Sequence, residues 1–429
     1  MKSSCYNFFL SQKEHIICFN AFSLNFFYIL PEKEKTVKDI LDNPDIYKDK
    51  IPVFYKKLKD GNFVVDDDVY EPDLVLQKYN ERVHNKHYKL VILPTLQCNF
   101  RCWYCIQRHV LGKMDGDMLH RIYRHIEYMI VKEGIESLDI EWFGGEPFLY
   151  FSEIIKPVSD YAKEFCGKYN IPFSSSATTN GFLITPEVVK QLQEYNFKGF
   201  QITLDGDREH HNQTRKSKKA SSFDVILNNI NCICTQLDCS ITLRINYDDK
   251  NLNPEKIIAQ VNEIISPNLR DKIRFIFRKV WQVDFVHEER QKLTAATSII
   301  QKTGYTGNSD LIKDFVPCYA SRKYYNTISF DGKVHKCTAK DNLHKDSLGH
   351  LDENGIIQWH VKDFETVYYK PLFENEKCLQ CKYLPICMGP CPKRLENNGL
   401  KTPDFICHRG KINGFEFEDS MLNYCRSVK

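Results

Sequence analysis

The sequence predicts an α/β protein centred on a partial parallel barrel of six strand–helix units, flanked by a small N-terminal module and a cysteine-rich C-terminal region. Three observations carry this prediction. Between about residues 88 and 285, short apolar runs alternate with amphipathic stretches, the pattern of parallel strands joined by crossover helices. The segment before it is aromatic-rich and passes from strand-like to helical periodicity. The segment after it has few periodic apolar stretches and a rising density of cysteine. A chain of 429 residues has room for two or three domains with full cores.

In residues 1–85, Asn7–Ser11, His15–Ala21 and Ser23–Ile29 read as short strands. Glu34–Asp42 and Ile51–Lys59 read as amphipathic helices, the second stopped by Asp60-Gly61. Phe63-Val64-Val65 reads as a wing strand and Pro72–Val83 as a further helix. This is the outline of a winged-helix-like module standing apart from the barrel. In the barrel, residues 88–305, strands are expected at Lys89–Pro94, Ser137–Phe143, Phe173–Thr178, Gly199–Leu204, Ser240–Asn246 and Lys272–Phe277. Helices are expected near Asp117–Glu133, Ser152–Lys168, Pro186–Tyr195, Ser221–Gln236 and Pro254–Ile265. Right-handed crossovers bring the strand C-termini, and the functional loops with them, to one mouth, and six units favour an incomplete barrel over the eight-unit form. Residues 310–429 offer too few apolar segments for a core, so bound metal would supply part of their stability.

Lys and Arg number 59 against 56 Asp and Glu, a net charge of +3, which gives no reason to expect a nucleic-acid or membrane partner. The most apolar N-terminal stretch, Ile16 to Leu30, is interrupted by Asn20, Ser23 and Asn25. It is too polar to span a bilayer and lacks a signal-peptide layout, so a cytoplasmic location is expected. Cysteine is the outlier. Seventeen, an odd number, clustered in a chain without a signal peptide argue for metal binding over a disulfide framework.

The first cluster, Cys98, Cys102 and Cys105, directly follows the first barrel strand. A zinc site would normally offer four ligands. Three thiolates on one loop suit three irons of a 4Fe–4S cluster, leaving the fourth iron open to a small chelating molecule. The CxxxCxxC spacing, with aromatic Tyr104 before the last cysteine, resembles the radical S-adenosylmethionine (radical SAM) superfamily. Trp142-Phe143-Gly144-Gly145-Glu146-Pro147 at the second strand end resembles its GGEP element, and Thr179-Asn180-Gly181 at the third its TNG element. Ile202-Thr203-Leu204-Asp205-Gly206 and His211 to Arg215 resemble its S-x-D-G and H-x-x-x-R elements, with Thr203 where serine is usual. The resemblance implies that Gly144, Gly145 and Glu146 meet the methionyl ammonium, Asn180 the ribose and Arg215 the methionyl carboxylate, with Tyr104 and Asp205 in the same pocket. A tight turn for Gly-Gly-Glu-Pro, and loop-structuring roles for Asn180, Asp205 and Arg215, are the plainer alternatives. No catalytic acid or base is assigned.

Cys318, Gly332 and Cys337, followed by Cys378, Cys381, Cys387, Cys391 and Cys407, resemble SPASM, the twin-cluster domain of radical SAM peptide-modifying enzymes. Two zinc ribbons would favour two CxxC pairs, and only Cys378-x-x-Cys381 is present. The resemblance implies a distal cluster on Cys378, Cys381, Cys387 and Cys407. It implies a proximal one on Cys318, Cys337 and Cys391, whose fourth ligand the sequence does not name. The N-terminal outline resembles the peptide-recognition domain of ribosomal-peptide maturation enzymes, which adds a leader peptide as a strand to a sheet edge.

The expected protein is therefore a radical SAM/SPASM peptide maturase with three 4Fe–4S clusters and S-adenosylmethionine. Its partners would be a precursor peptide and a flavodoxin- or ferredoxin-type electron donor, and its leading product a thioether crosslink. Formylglycine formation in the manner of anaerobic sulfatase maturases is one rival. Relatives of that type carry aspartate after the cysteine that Cys337 matches, whereas here Thr338 follows. A non-enzymatic iron–sulfur sensor is another rival, disfavoured because a sensor has no use for an adenosylmethionine pocket.

Overall fold

The computed structural model describes residues 1–217, 221–307, 317–339, 343–361, 364, 368–370, 373–389, 391–393 and 414–427. The chain divides into two compact units, one of residues 1–85, 309–323 and 363–429, the other of residues 86–308 and 324–362.

In the first unit, β2 (Asn7–Ser11), β3 (Ile16–Asn20) and β4 (Phe26–Ile29) form an antiparallel sheet in that order, while β1 (Lys2–Ser3) pairs separately with β5 (Val64–Val65). The expected wing strand is thus β5, paired with a two-residue N-terminal strand too short to announce itself. Every residue of β3 is buried, because both faces of the sheet are covered. On one face Cys18 packs with Val37, Ile40, Leu58 and Phe63 from the two short helices and the wing. On the other, Ile17 and Phe19 share a cluster with Val75 and Tyr79 of helix Glu71–Val83 and with Phe373, Leu384, Met421 and Cys425 from the far end of the chain. The N-terminal module therefore does not stand apart: a strand apolar on both faces needs two covers, and its own helices supply only part of the second.

The second unit holds all six expected barrel strands, β6 (His87–Leu93), β7 (Ser137–Trp142), β8 (Phe173–Thr179), β9 (Phe197–Asp205), β10 (Ser240–Tyr247) and β11 (Ile273–Lys279), paired in parallel in sequence order. Successive side chains alternate between two faces. Positions such as Leu90, Ile140, Ile202 and Leu243 are wholly buried in the cluster that includes helical Ile122, Ile126, Ile226 and Ile257. The alternate positions, among them Lys89, Asp139, Glu141, Thr178, Gln201, Thr203 and Arg244, are half-buried on the inner face. A polar lining on an otherwise apolar barrel is a pocket wall.

Beyond β11 the short β12 (Thr306–Gly307) adds in parallel. On the opposite edge, β13 (Tyr325–Ser329) pairs in parallel with β6, from Tyr325↔Lys89 to Ser329↔Leu93. Then β14 (Lys333–His335), β15 (Gly349–Leu351) and β16 (Ile357–Trp359) continue antiparallel, giving among the described residues one sheet of 11 strands. Residues 324–362 were expected in the cysteine-rich domain and instead extend the barrel sheet, which covers the otherwise open edge of β6.

Candidate active site

The cysteine loop begins where β6 ends. Thr95 donates its hydroxyl to the Gly112 carbonyl at 2.5 Å and accepts from the Gln97 amide at 3.0 Å, fixing the stem. Cys98, Cys102 and Cys105 all carry free thiols. The Phe100 amide lies 3.4 Å from the Cys98 sulfur, and burial pushes the Cys98 thiol up to about 11.

Gly144 and Gly145 lock the second strand end to this stem. The Gly145 and Glu146 amides donate to the Thr95 and Gln97 carbonyls at 3.2 and 2.8 Å. A Cβ at Gly145 would lie 2.0 Å from the Gln97 oxygen, and Gly144 has φ of +130° with a Cβ position 2.4 Å from the Thr95 oxygen. No other residue fits either place. The close approach that these glycines permit is therefore to the cysteine loop's own backbone.

Glu146 is 0% exposed. Its carboxylate accepts from the Phe148 amide at 3.1 Å, the Thr179 hydroxyl at 2.7 Å and the Asn180 amide at 2.8 Å. Burial pushes its pKa up while those donors pull it down. Glu146 thus ties the second strand end to the third. Asn180, so held, donates to Asn99 Oδ1 at 2.7 Å and lies 3.8 Å from the Cys98 sulfur.

Tyr104 reaches the other side of the mouth. Its hydroxyl donates to Asp205 and accepts from Arg215 at 2.9 Å and Asn246 at 3.1 Å. Arg215 Nε donates to Asp205 at 2.5 Å, and both side chains are buried. The Asp205 amide donates to His211 Nδ1 at 3.2 Å, and burial, then Arg215, holds His211 well below the usual imidazole range. Asn246 joins this network without a motif to mark it, whereas His211 opens the H-x-x-x-R element, which by itself assigns it no role. The only signal for Asn246 was its place at the end of the fifth strand. Gln282, after β11, adds a bond to the Tyr104 carbonyl at 2.8 Å. Beside the loop opens a cavity of about 810 Å³ lined by Asn99, Arg101, Trp103, His210, Thr214 and Asp248 among others.

The structure therefore brings Cys98, Cys102, Cys105, Tyr104, Gly144, Gly145, Glu146, Asn180, Asp205 and Arg215 to one mouth. Among the described residues, no three His, Cys, Asp or Glu side chains converge on a single ion. A 4Fe–4S cluster asks for one thiolate per iron, spread over its corners, and the donor set of this loop fits that requirement.

The remaining cysteines are divided. Cys337 follows β14 and belongs to the barrel unit, while Cys318, Cys378, Cys381, Cys387 and Cys391 belong to the other. Cys407 lies outside the described residues. Cys378 and Cys381 sit on one turn, the Cys381 amide donating to the Cys378 carbonyl at 3.0 Å and Asn375 capping Cys378 at 3.0 Å. Gly332 takes φ of +81° in the turn before β14. Register sets Cys337 away from the cysteine loop: β14 runs back along β13 to Thr327↔His335, so its end lies away from Leu93.

Residues 92–245 match the family model of the radical SAM superfamily. A GTP 3′,8-cyclase of Campylobacter jejuni subsp. doylei is 30% identical over 193 residues, 44% of this chain and 54% of the cyclase. The chain thus spans about half the length of that relative. A cysteine-type anaerobic sulfatase-maturating enzyme of Clostridium novyi is 23% identical over 387 residues, 79% of this chain and 97% of the relative. A solved structure described as native anSMEcpe with bound AdoMet and Cp18Cys peptide superposes with a TM-score of 0.55 at 18% identity, covering 80% of this chain and 99% of that one. The three-thiol loop, the strand ends locked around it and the match over residues 92–245 place the barrel of this chain in the radical SAM superfamily.

Proposed function

We propose that the protein is a radical SAM/SPASM enzyme that modifies a ribosomally made precursor peptide. The observation that carries this reading is the clamp of the CxxxCxxC loop to the strand ends by Gly144, Gly145, Glu146, Tyr104 and Arg215, beside a polar-lined barrel. Cys98, Cys102 and Cys105 would hold a 4Fe–4S cluster that, with S-adenosylmethionine, would supply radical chemistry able to take hydrogen from an unactivated carbon. The chain's part is to hold the loop rigid, to seat the methionyl and ribose groups at the Gly144–Glu146 and Asn180 strand ends, and to enclose the peptide within the inner face. Similarity to a sulfatase maturase over most of the chain supports a peptide as substrate.

Auxiliary clusters on Cys318, Cys337 and Cys391 and on Cys378, Cys381, Cys387 and Cys407 complete the proposal. Cys337 sits at the far end of the sheet from the loop. The leading product is a thioether crosslink, with the electron donor a flavodoxin or ferredoxin. The sheet edges at β2 and β4, with Tyr28 and Leu30 exposed, offer a leader peptide a strand to pair with. No helix among the described residues is long and apolar enough to cross a membrane, and a cytoplasmic setting suits free thiols.

The second reading, formylglycine formation, draws on the Clostridium relative and is weakened by Thr338 after Cys337. Anaerobic turnover with a cysteine-containing precursor peptide separates the two. A crosslink gives a product lighter by two hydrogens and silent to hydrazide reagents. Formylglycine gives an aldehyde that a hydrazide captures.

A further inference from the structure

The inner face of the barrel is charged unevenly. On its β6–β7 side, Lys89 forms ion pairs with Asp139 at 3.0 Å and Glu141 at 2.9 Å. At the mouth, Arg215 is matched by Asp205. Between these, β8 and β9 contribute hydroxyls and an amide at Ser176, Thr178, Gln201 and Thr203. The β10–β11 side carries Arg244, Arg274 and Arg278 at inward positions, with Thr242↔Arg274, Arg244↔Ile276 and Asn246↔Arg278 in register.

Arg244 differs from the other cations of this wall. It is half-buried, yet its one side-chain bond among the described residues is from Nε to Asn246 Oδ1 at 2.8 Å. No carboxylate there lies within ion-pair reach. Its terminal nitrogens are left as a planar fork of donors. Burial, then the neighbouring Arg278, disfavours its charge. A guanidinium withdrawn from water and set beside a second one is costly unless an anion meets it, and its fork matches a carboxylate two bonds at a time.

We propose that Arg244 is the carboxylate-binding residue of the barrel interior and that it holds an Asp or Glu side chain of the substrate beside the residue to be modified. This rests on the reading of the mouth as the adenosylmethionine site. Two anions share the required chemistry, a substrate carboxylate and the methionyl carboxylate, and depth favours the first. Asn246 already reaches the loop through Tyr104. Arg244 lies two residues deeper on β10, roughly 7 Å further from the mouth. The substrate class is therefore a peptide with an acidic residue in its modified core.

The test uses the full chain, cluster-loaded and held anaerobically with S-adenosylmethionine. Saturation-transfer NMR compares N-acetyl-glutamate amide with N-acetyl-glutamine amide as probes. The wild type should give a signal for the glutamate probe at least about tenfold that of the glutamine probe. Arg244→Gln should abolish the difference, and Arg244→Lys should retain part of it. Adenosylmethionine affinity should stay within about twofold in both variants, and matched thermal melts show that they fold. Equal signals from the two probes in the wild type, or a glutamate signal that survives Arg244→Gln, would overturn the proposal. Loss of adenosylmethionine binding in Arg244→Gln would reassign the residue to the methionyl carboxylate. Absence of 5′-deoxyadenosine from the wild type would instead remove the reading on which the proposal rests.

Discussion

Glu146 shows how far single residues could be read. The Gly-Gly-Glu-Pro string and its strand end were legible, but the use of its parts was not. Sequence gives a carboxylate next to two glycines; only the fold shows three donors already converging on it. Replacing it with glutamine turns one acceptor oxygen into a donor facing other donors. A bond to a buried charged group is worth about 1.5–3 kcal/mol, so Glu146→Gln should lower the thermal midpoint and weaken adenosylmethionine binding more than tenfold. Calorimetry and equilibrium dialysis check both. Tyr104 makes the complementary case. Tyr104→Phe removes the hydroxyl shared by Asp205, Arg215 and Asn246 and leaves the thiols untouched. It should keep its full iron content while slowing 5′-deoxyadenosine formation by about tenfold. An unchanged rate would make the network a packing feature only.

At the scale of elements, the barrel strands were legible because each is an apolar run bounded by turn residues, and their helices because of their periodicity. The extension β13–β16 was not, since strands of three to five residues carry no period and here serve mainly to cover an edge. Their attachment lies on helix Gly116–Val131. Arg121 donates to the Leu351 carbonyl at 3.2 Å. His125 donates from Nδ1 to the Gly355 carbonyl at 2.8 Å and accepts the Tyr88 hydroxyl at Nε2, at 2.7 Å. That imidazole must stay neutral, and burial lowers its pKa from 6.5 to about 4. A folded-state value below the unfolded one means that its contribution is complete above pH 6.5 and is lost as pH falls toward 4. The loss amounts to roughly 2 kcal/mol by pH 5. Thermal melts should therefore fall between pH 7 and 5, and fall less in His125→Gln. Gly355 is the other half of the joint, with φ of +76° and a Cβ position 2.4 Å from the His125 amide. Gly355→Ala should cost about 1–3 kcal/mol, read in the same melts.

For the whole molecule, the sequence set residues 1–85 apart from the C-terminal region, with which they share one unit. Tyr6, Phe8, Ile17 and Phe19 share one buried cluster with Phe373, Leu384, Met388 and Met421. Cys425 lies in that cluster too, as a buried core residue. Removing residues 1–85 should do more than weaken peptide binding. It would expose that cluster and cost the C-terminal region its iron, reducing about twelve irons per chain toward about four. Iron analysis of the purified truncation shows which. The central claim, that the cysteine loop at the barrel mouth cleaves S-adenosylmethionine, has its most direct test in Cys98, Cys102 and Cys105 exchanged together for alanine. After anaerobic reconstitution and reduction, the account predicts a loss of about four irons and no 5′-deoxyadenosine by chromatography, whereas continued 5′-deoxyadenosine formation by the triple variant would contradict it.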